Sequence, residues 1–219
     1  MENPPVAQKS PASPLGLSSL SSVVLEGAHQ SLFAEGVKTC AGSGPFRARK
    51  ETELHEFLAL CQISNERLKP LGSNLTAALQ FHFILEGPVP VWKSDIDDIE
   101  IHSWSHGMIF YPEEALRQSS PGTLFVRICK PDHVWHPNVA DDDTPDPLPG
   151  RALCLGQSIR PGTRVRELIL MTWGALTMQS AQLDVLDPAG LLNPKAANWW
   201  LQNRSMMPLS REPFIRPDA

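Results

Sequence analysis

Four cysteines, Cys40, Cys61, Cys129 and Cys154, are the side chains of this chain best suited to covalent chemistry. A thiolate is both a strong nucleophile and a good leaving group, so a cysteine can take an acyl group and pass it on. The four stand 21, 68 and 25 positions apart without a CxxC pair, which excludes a zinc ribbon or a thioredoxin-type motif. A free cysteine is by default a small buried apolar residue, and that reading is assigned to Cys40, Cys61 and Cys129. Cys154 follows a proline-rich stretch that also holds His133, His136 and the acidic run Asp141-Asp142-Asp143. A cysteine hydrolase could pair Cys154 with His133 or His136. It would also need an orienting third group and usually a helix N-terminus under the nucleophile, and no such signature surrounds Cys154. A metal could draw on His133, His136 and Asp141 to Asp143. Pro137 and the lack of a second ligand pair favour a solvated acidic loop with no metal.

The elements that position these groups follow from periodicity. With 219 residues, 42% hydrophobic and 20% charged, the chain can bury one full core. A net charge of −5 gives no footprint for nucleic acid. No apolar run approaches the ~20 residues of a membrane span. Met1-Glu2-Asn3-Pro4-Pro5 lacks the start of a signal peptide, so a cytoplasmic protein with free thiols is expected. Residues 1–22, rich in Pro and Ser, read as a flexible tail. Residues 23–50 read as an extension with helical potential from Val23 to Val37, broken at Gly42-Ser43-Gly44-Pro45. Leu54, Phe57, Leu58, Cys61 and Leu68 recur at helical spacing, predicting a helix from Glu51 to Leu68 that stops before Pro70.

Leu79, Phe81, Phe83 and Leu85 alternate as a strand that Gly87-Pro88 should end. Ile96 to Ile109 predicts one or two further strands, and Thr123 to Cys129 another. Residues 130–163 read as a long loop. Val165 to Thr177 returns to helical period, with Gly174 inside it. A final helix can start at Pro194 with Asn193 as its cap, and Trp199-Trp200 are expected in the core. Residues 205–219 read as a loose tail. Strands grouped together with helices at the ends argue α+β, an antiparallel meander sheet carrying an N-terminal helix and C-terminal helices over 51–204.

A series of short motifs in this order resembles the ubiquitin-conjugating enzyme family. Leu85-Glu86-Gly87-Pro88 is similar to the Gly-Pro turn between that family's first two strands. Tyr111-Pro112 resembles the close of its third strand, and Ser120-Pro121 the following turn. His136-Pro137-Asn138-Val139 matches its His-Pro-Asn tripeptide, Leu153-Cys154-Leu155 the segment around its active cysteine, and Leu192-Asn193-Pro194-Lys195-Ala196-Ala197 the opening of its third helix. The resemblance implies that fold over about 51–203. It also implies an acyltransferase without a cofactor: Cys154 takes ubiquitin or a ubiquitin-like protein as a thioester from an activating enzyme and hands it to an amine of a target protein. Asn138 would stabilise the oxyanion and brace the loop beside the cysteine. His136, with Pro137, would hold its loop by hydrogen bonds, and Asp187, or Asp184 as second choice, would act as base.

The departures from that pattern are specific. Sixteen positions separate Asn138 from Cys154, about twice the family's spacing, and the surplus is the acidic, proline-rich stretch 140–150. Arg160-Pro161 stands where the family has tryptophan-x-proline, and the first helix lacks the usual basic run. The pattern looks more like divergent bacterial relatives that work beside dedicated ubiquitin-like and activating proteins, some in anti-phage systems. The insertion is expected to lie at the rim of the Cys154 cleft, to contact a basic partner surface, and to be dispensable for folding.

Overall fold

The alternation of Leu79, Phe81, Phe83 and Leu85 sends four side chains to one face of a strand, and all four are buried in the computed structural model. The structure describes residues 36, 38, 40–41, 44–64, 66–94, 98–143, 148–181, 183–184 and 190–215. The expected tail 1–22 and the helical potential at Val23 to Val37 fall outside these residues, except for Gly36. The architecture is α+β. Helix α1 (Gly44–Ile63) leads into β1 (Leu68–Asn74), β2 (Leu79–Lys93) and β3 (Asp98–Tyr111). Then come the short β4 (Ser120–Pro121), β5 (Val126–Lys130), β6 (Arg151–Leu153) and β7 (Ser158–Ile159), and the helices α2 (Val165–Leu176) and α3 (Pro194–Gln202). Strands β1-β2-β3-β5-β6 form one antiparallel sheet in that order, while β4 and β7 pair separately. Among the described residues no helix is long and apolar enough to cross a membrane.

Helices α1 and α2 cover one face of this sheet. Phe57 of α1 stacks on Phe81 with ring centroids 4.6 Å apart, and meets Phe83 edge-on at 6.4 Å. The two helices are tied together by a buried carboxylate. Glu53 accepts from the Val165 backbone N–H at 2.8 Å and pairs with Arg49 at 2.6 Å, so the N-terminus of α2 is met by an anion from α1. Lys50 is buried with its ammonium donating to the carbonyls of Ala41, Leu75 and Thr76, which uses all three of its protons. At α3, Pro194 occupies the first turn and the Asn193 side chain accepts from the Ala196 N–H at 2.9 Å.

Four expectations are corrected. The first helix runs from Gly44 to Ile63 instead of Glu51 to Leu68. Ser64 accepts the Leu68 N–H and Glu66 takes a positive φ of 66°, turning the chain so that Leu68 enters the core from β1. Pro70 is tolerated there because β1 is an edge strand. Gly87-Pro88 does not end β2: the register shifts between Glu86 and Val89, and the strand continues through this bulge to Lys93. A Cβ at Gly87 would fall 2.8 Å from the Trp173 ring, so the glycine admits α2 against the sheet. The long loop 130–163 contains β6 and β7. Finally, the described part of the tail is docked: Phe214 is buried against Trp173 at 5.6 Å, and Glu212 pairs with Arg67.

Candidate active site

The His136-Pro137-Asn138 segment is held from three directions. His136 is fully buried; its Nε2 donates to the Ala175 carbonyl of α2 at 2.9 Å, and its Nδ1 accepts the Asn138 N–H at 3.1 Å. One nitrogen donates and the other accepts, so the ring is neutral, and burial pushes its pKa down to about 4. The Pro137 carbonyl accepts the N–H groups of Leu192 and Asn193 at 2.8 and 2.9 Å, which joins this loop to the start of α3. Farther along α3, Trp200 Nε1 donates to the Trp135 carbonyl at 3.0 Å.

Asn138 and Cys154 are then tethered to each other in both directions. The Cys154 N–H donates to the Asn138 carbonyl at 2.8 Å, and Asn138 Nδ2 donates to the Cys154 carbonyl at 3.3 Å. Next to this pair, Val139 bridges to Leu153 and the Ala140 N–H donates to the Ala152 carbonyl at 2.9 Å. The loop beyond Cys154 is pressed against the turn after β4. Leu155 donates to the Gly122 carbonyl, and a Cβ at Gly122 would lie 2.0 Å from the Gly156 carbonyl oxygen, so only glycine fits at 122. That same carbonyl accepts the Cys154 thiol at 3.3 Å.

Cys154 is 4% exposed, at the base of an open groove of about 510 Å³ lined by Asn138, Leu155, Gly156, Met171, Ala175 and Ser180 among others. Burial pushes its thiol pKa up, and the Gly156 backbone offsets part of the rise. The resting thiol is therefore protonated at neutral pH. A transferring group arriving in the groove would have to draw it off the Gly156 carbonyl. In this state the Asn138 amide acts as a brace on the Cys154 carbonyl. An oxyanion role would require its N–H to turn toward the oxygen of the reacting carbonyl.

The other sequence-derived residues are placed as follows. Asp187 lies outside the described residues. Asp184 is described but is not among the residues that line the groove. The insertion departs from expectation, because its acids do not rim the Cys154 groove among the described residues. Asp142 pairs with His133 and, at 2.7 Å, with Arg151, and Asp143 pairs with Lys195 at 3.1 Å. His133, Asp142 and Arg151 line a separate groove of about 420 Å³ with Cys129. His133 thus faces the insertion while His136 is in the core, so the two do not converge. Among the described residues no three His, Cys, Asp or Glu side chains are grouped to hold a metal. The four cysteines are free thiols, and Cys40 and Cys61 are buried in the core cluster.

Residues that sequence reasoning missed include Gly122 and Arg127. Arg127 is buried and its guanidinium donates to the carbonyls of Leu148, Pro149 and Gly150 at 3.2, 2.8 and 2.6 Å, pinning the end of the insertion to β5. An arginine between apolar residues of a strand, upstream of a proline-rich loop, was the available signal for it. No family model, curated protein or solved structure matches the chain.

Proposed function

We propose that this chain is a carrier of the ubiquitin-conjugating type. It accepts ubiquitin or a ubiquitin-like modifier as a thioester on Cys154 from an activating enzyme, and transfers it to an amine of a target protein in the cytoplasm. The observation that carries this reading is the two-way tether of Asn138 and Cys154 at one groove, sixteen positions apart in the chain. The order of helix, antiparallel meander, cysteine loop and two helices supports a ubiquitin-conjugating-like fold for 51–204. In loading, Cys154 Sγ bonds to the modifier's terminal carbonyl carbon as the activating enzyme's carbon–sulfur bond breaks, and the thiol proton goes to the departing sulfur. In discharge, the amine nitrogen bonds to that carbon, the Cys154 thiolate leaves, and a base takes the amine's proton. Asp187 is the proposed base. No metal or cofactor takes part in either step.

The test is loading with activating enzyme, modifier and ATP. A reducible adduct should form in the parent and in Cys40→Ala, Cys61→Ala and Cys129→Ala, and be lost in Cys154→Ala. Cys154→Ser should give an ester that survives reductant, because an alkoxide leaves less readily than a thiolate. Asn138→Ala should load yet discharge about 10²–10³ more slowly if its amide serves the oxyanion. An adduct that persists in Cys154→Ala overturns the assignment. A parent that never loads leaves a binding scaffold with this fold, or a cysteine hydrolase if the thiol cleaves the modifier instead.

A further inference from the structure

On the sheet face opposite α1 and α2, two histidines stand close together with no part in the proposed acyl transfer. Strand alternation buries Phe81 and Phe83 and turns Gln80 and His82 to this outer face, where the register places Met108 opposite His82 and His106 opposite Ile84. His82 Nδ1 and His106 Nε2 are 3.3 Å apart, with the rings inclined at 48°. On β1, Gly72 pairs with His82 and brings no side chain to fill the space; nothing lies within 4 Å of where its Cβ would be. The result is an open hollow of about 400 Å³ walled by Leu71, Ser73, Asn74 and Gln80, with both imidazoles facing it. None of these residues lines the Cys154 groove.

The geometry points to a divalent transition-metal site in which His82 Nδ1 and His106 Nε2 supply two nitrogen ligands to one ion of the zinc class. Two imidazole nitrogens each about 2.0–2.1 Å from a tetrahedral zinc are separated by about 3.3–3.4 Å, and the observed separation is already 3.3 Å. A direct N–H···N bond between the rings would be long at that distance, since such bonds favour about 2.7–3.2 Å. The second nitrogen of His82 has the kind of outer partner that metal-bound histidines use. Its Nε2 lies 2.9 Å from the Gln80 side-chain amide, whose oxygen can accept the Nε2–H after the amide rotates by a half-turn. Burial pushes both imidazoles below their ordinary pKa, and at His82 the neighbouring His106 adds to the shift. With two protein ligands the ion keeps water in its remaining positions and faces the hollow, which makes it an open site and not a closed structural one.

The competing arrangement is a hydrogen-bond relay from Gln80 through His82 to His106, with Gln80 Nε2 also touching Met108 Sδ at 3.0 Å. Zinc titration of the full chain, followed by two-dimensional NMR of the histidine ring nitrogens, separates the two. Sub-stoichiometric Zn²⁺ should shift His82 Nδ1 and His106 Nε2 before the nitrogens of His133, and should raise the melting temperature as the native state is bound. His82→Ala and His106→Ala should each weaken this first equivalent by at least tenfold by calorimetry, and Gln80→Ala by about tenfold. If zinc leaves both ring nitrogens unmoved, or if both alanine variants bind it as the parent does, the pair is only a relay and the proposal fails. The ring-nitrogen readout needs no variant, so a variant that folds poorly does not remove the test.

Discussion

Two grooves share the stretch 128–156, one of them walled also by Met171, Ala175 and Ser180, and each holds a cysteine. The first, around Cys154, is lined among the described residues by amide, thiol, hydroxyl and apolar groups, with no ion pair in it. The second, around Cys129, is lined by Asp132, His133, Asp142 and Arg151, with Asp142 paired to both His133 and Arg151. Burial raises both thiols, but only Cys129 feels an opposing cation, from Arg127. The chain thus keeps its charges away from the thiol proposed to carry cargo. A neutral groove lets Cys154 stay protonated and unreactive until a partner brings the acyl group, and a nearby cluster of carboxylates would only raise its pKa further. The charged groove serves the fold by fastening the insertion, and its acids still present some negative surface to a partner.

The sharpest way to break this division is to remove the insertion. Deleting 140–149 takes away the Leu148 and Pro149 carbonyls, two of the three that receive the buried Arg127 guanidinium, and leaves it the Gly150 carbonyl. The expected loss is about 3–5 kcal/mol of unfolding free energy, the size of two lost hydrogen bonds from a buried charged group. This replaces the expectation of a dispensable loop. Urea denaturation of the shortened chain measures the loss, and Arg127→Met in the same background should recover part of it by removing a buried charge short of acceptors. A shortened chain as stable as the parent would show that Arg127 finds water instead.

Acid should act on the neutral side. His136 has its pKa lowered to about 4 in the folded chain and regains about 6.5 when unfolded. As pH falls below 6.5 the unfolded state takes a proton that the folded state refuses until near 4. The contribution is therefore complete above 6.5 and lost on the way down to 4, by about 3 kcal/mol at 1.36 kcal/mol per pKa unit. Gln at 136 can still donate to the Ala175 carbonyl without titrating. Denaturation midpoints between pH 7.5 and 4.5 should fall much more steeply in the parent than in His136→Gln, and parallel slopes would mean that His136 is protonated in the fold.

Much of this arrangement is legible in the sequence where the pattern is local. The Phe81-Phe83-Leu85 alternation, the helical repeat from Val165 to Leu176 and the Asn193-Pro194 cap each read correctly because neighbours within one element decide them. Gly87-Pro88 misleads because a bulge and a turn use the same residues, and only Trp173, nearly ninety positions on, distinguishes them. Leu68 fits the helical repeat and the strand equally well, and Ser64 decides. At the site, Asn138 and Cys154 stand out by residue type. What braces them does not: the Ala175 carbonyl, the Leu192 and Asn193 amides and the space left by Gly122 are backbone features that carry no side-chain signature. Arg127 is missed for the same reason, since its partners are carbonyls 21 to 23 positions away.

The smallest expected effect is the most direct test of separation between the grooves. Asp142→Asn removes the carboxylate that pairs with His133 and Arg151, at a partly exposed site where such pairs contribute at most about 1 kcal/mol. If the charged groove is electrically apart from Cys154, the pH profile of Cys154 alkylation should be the same in Asp142→Asn as in the parent. Cys129, which lines the same groove as Asp142, is the thiol that any change in that field reaches first. Iodoacetamide rates resolved by peptide mass spectrometry report both thiols in one experiment. Should Cys154 move with Cys129, the acidic insertion reaches the carrier thiol after all, and its carboxylates would belong to the chemistry of loading as well as to the fold.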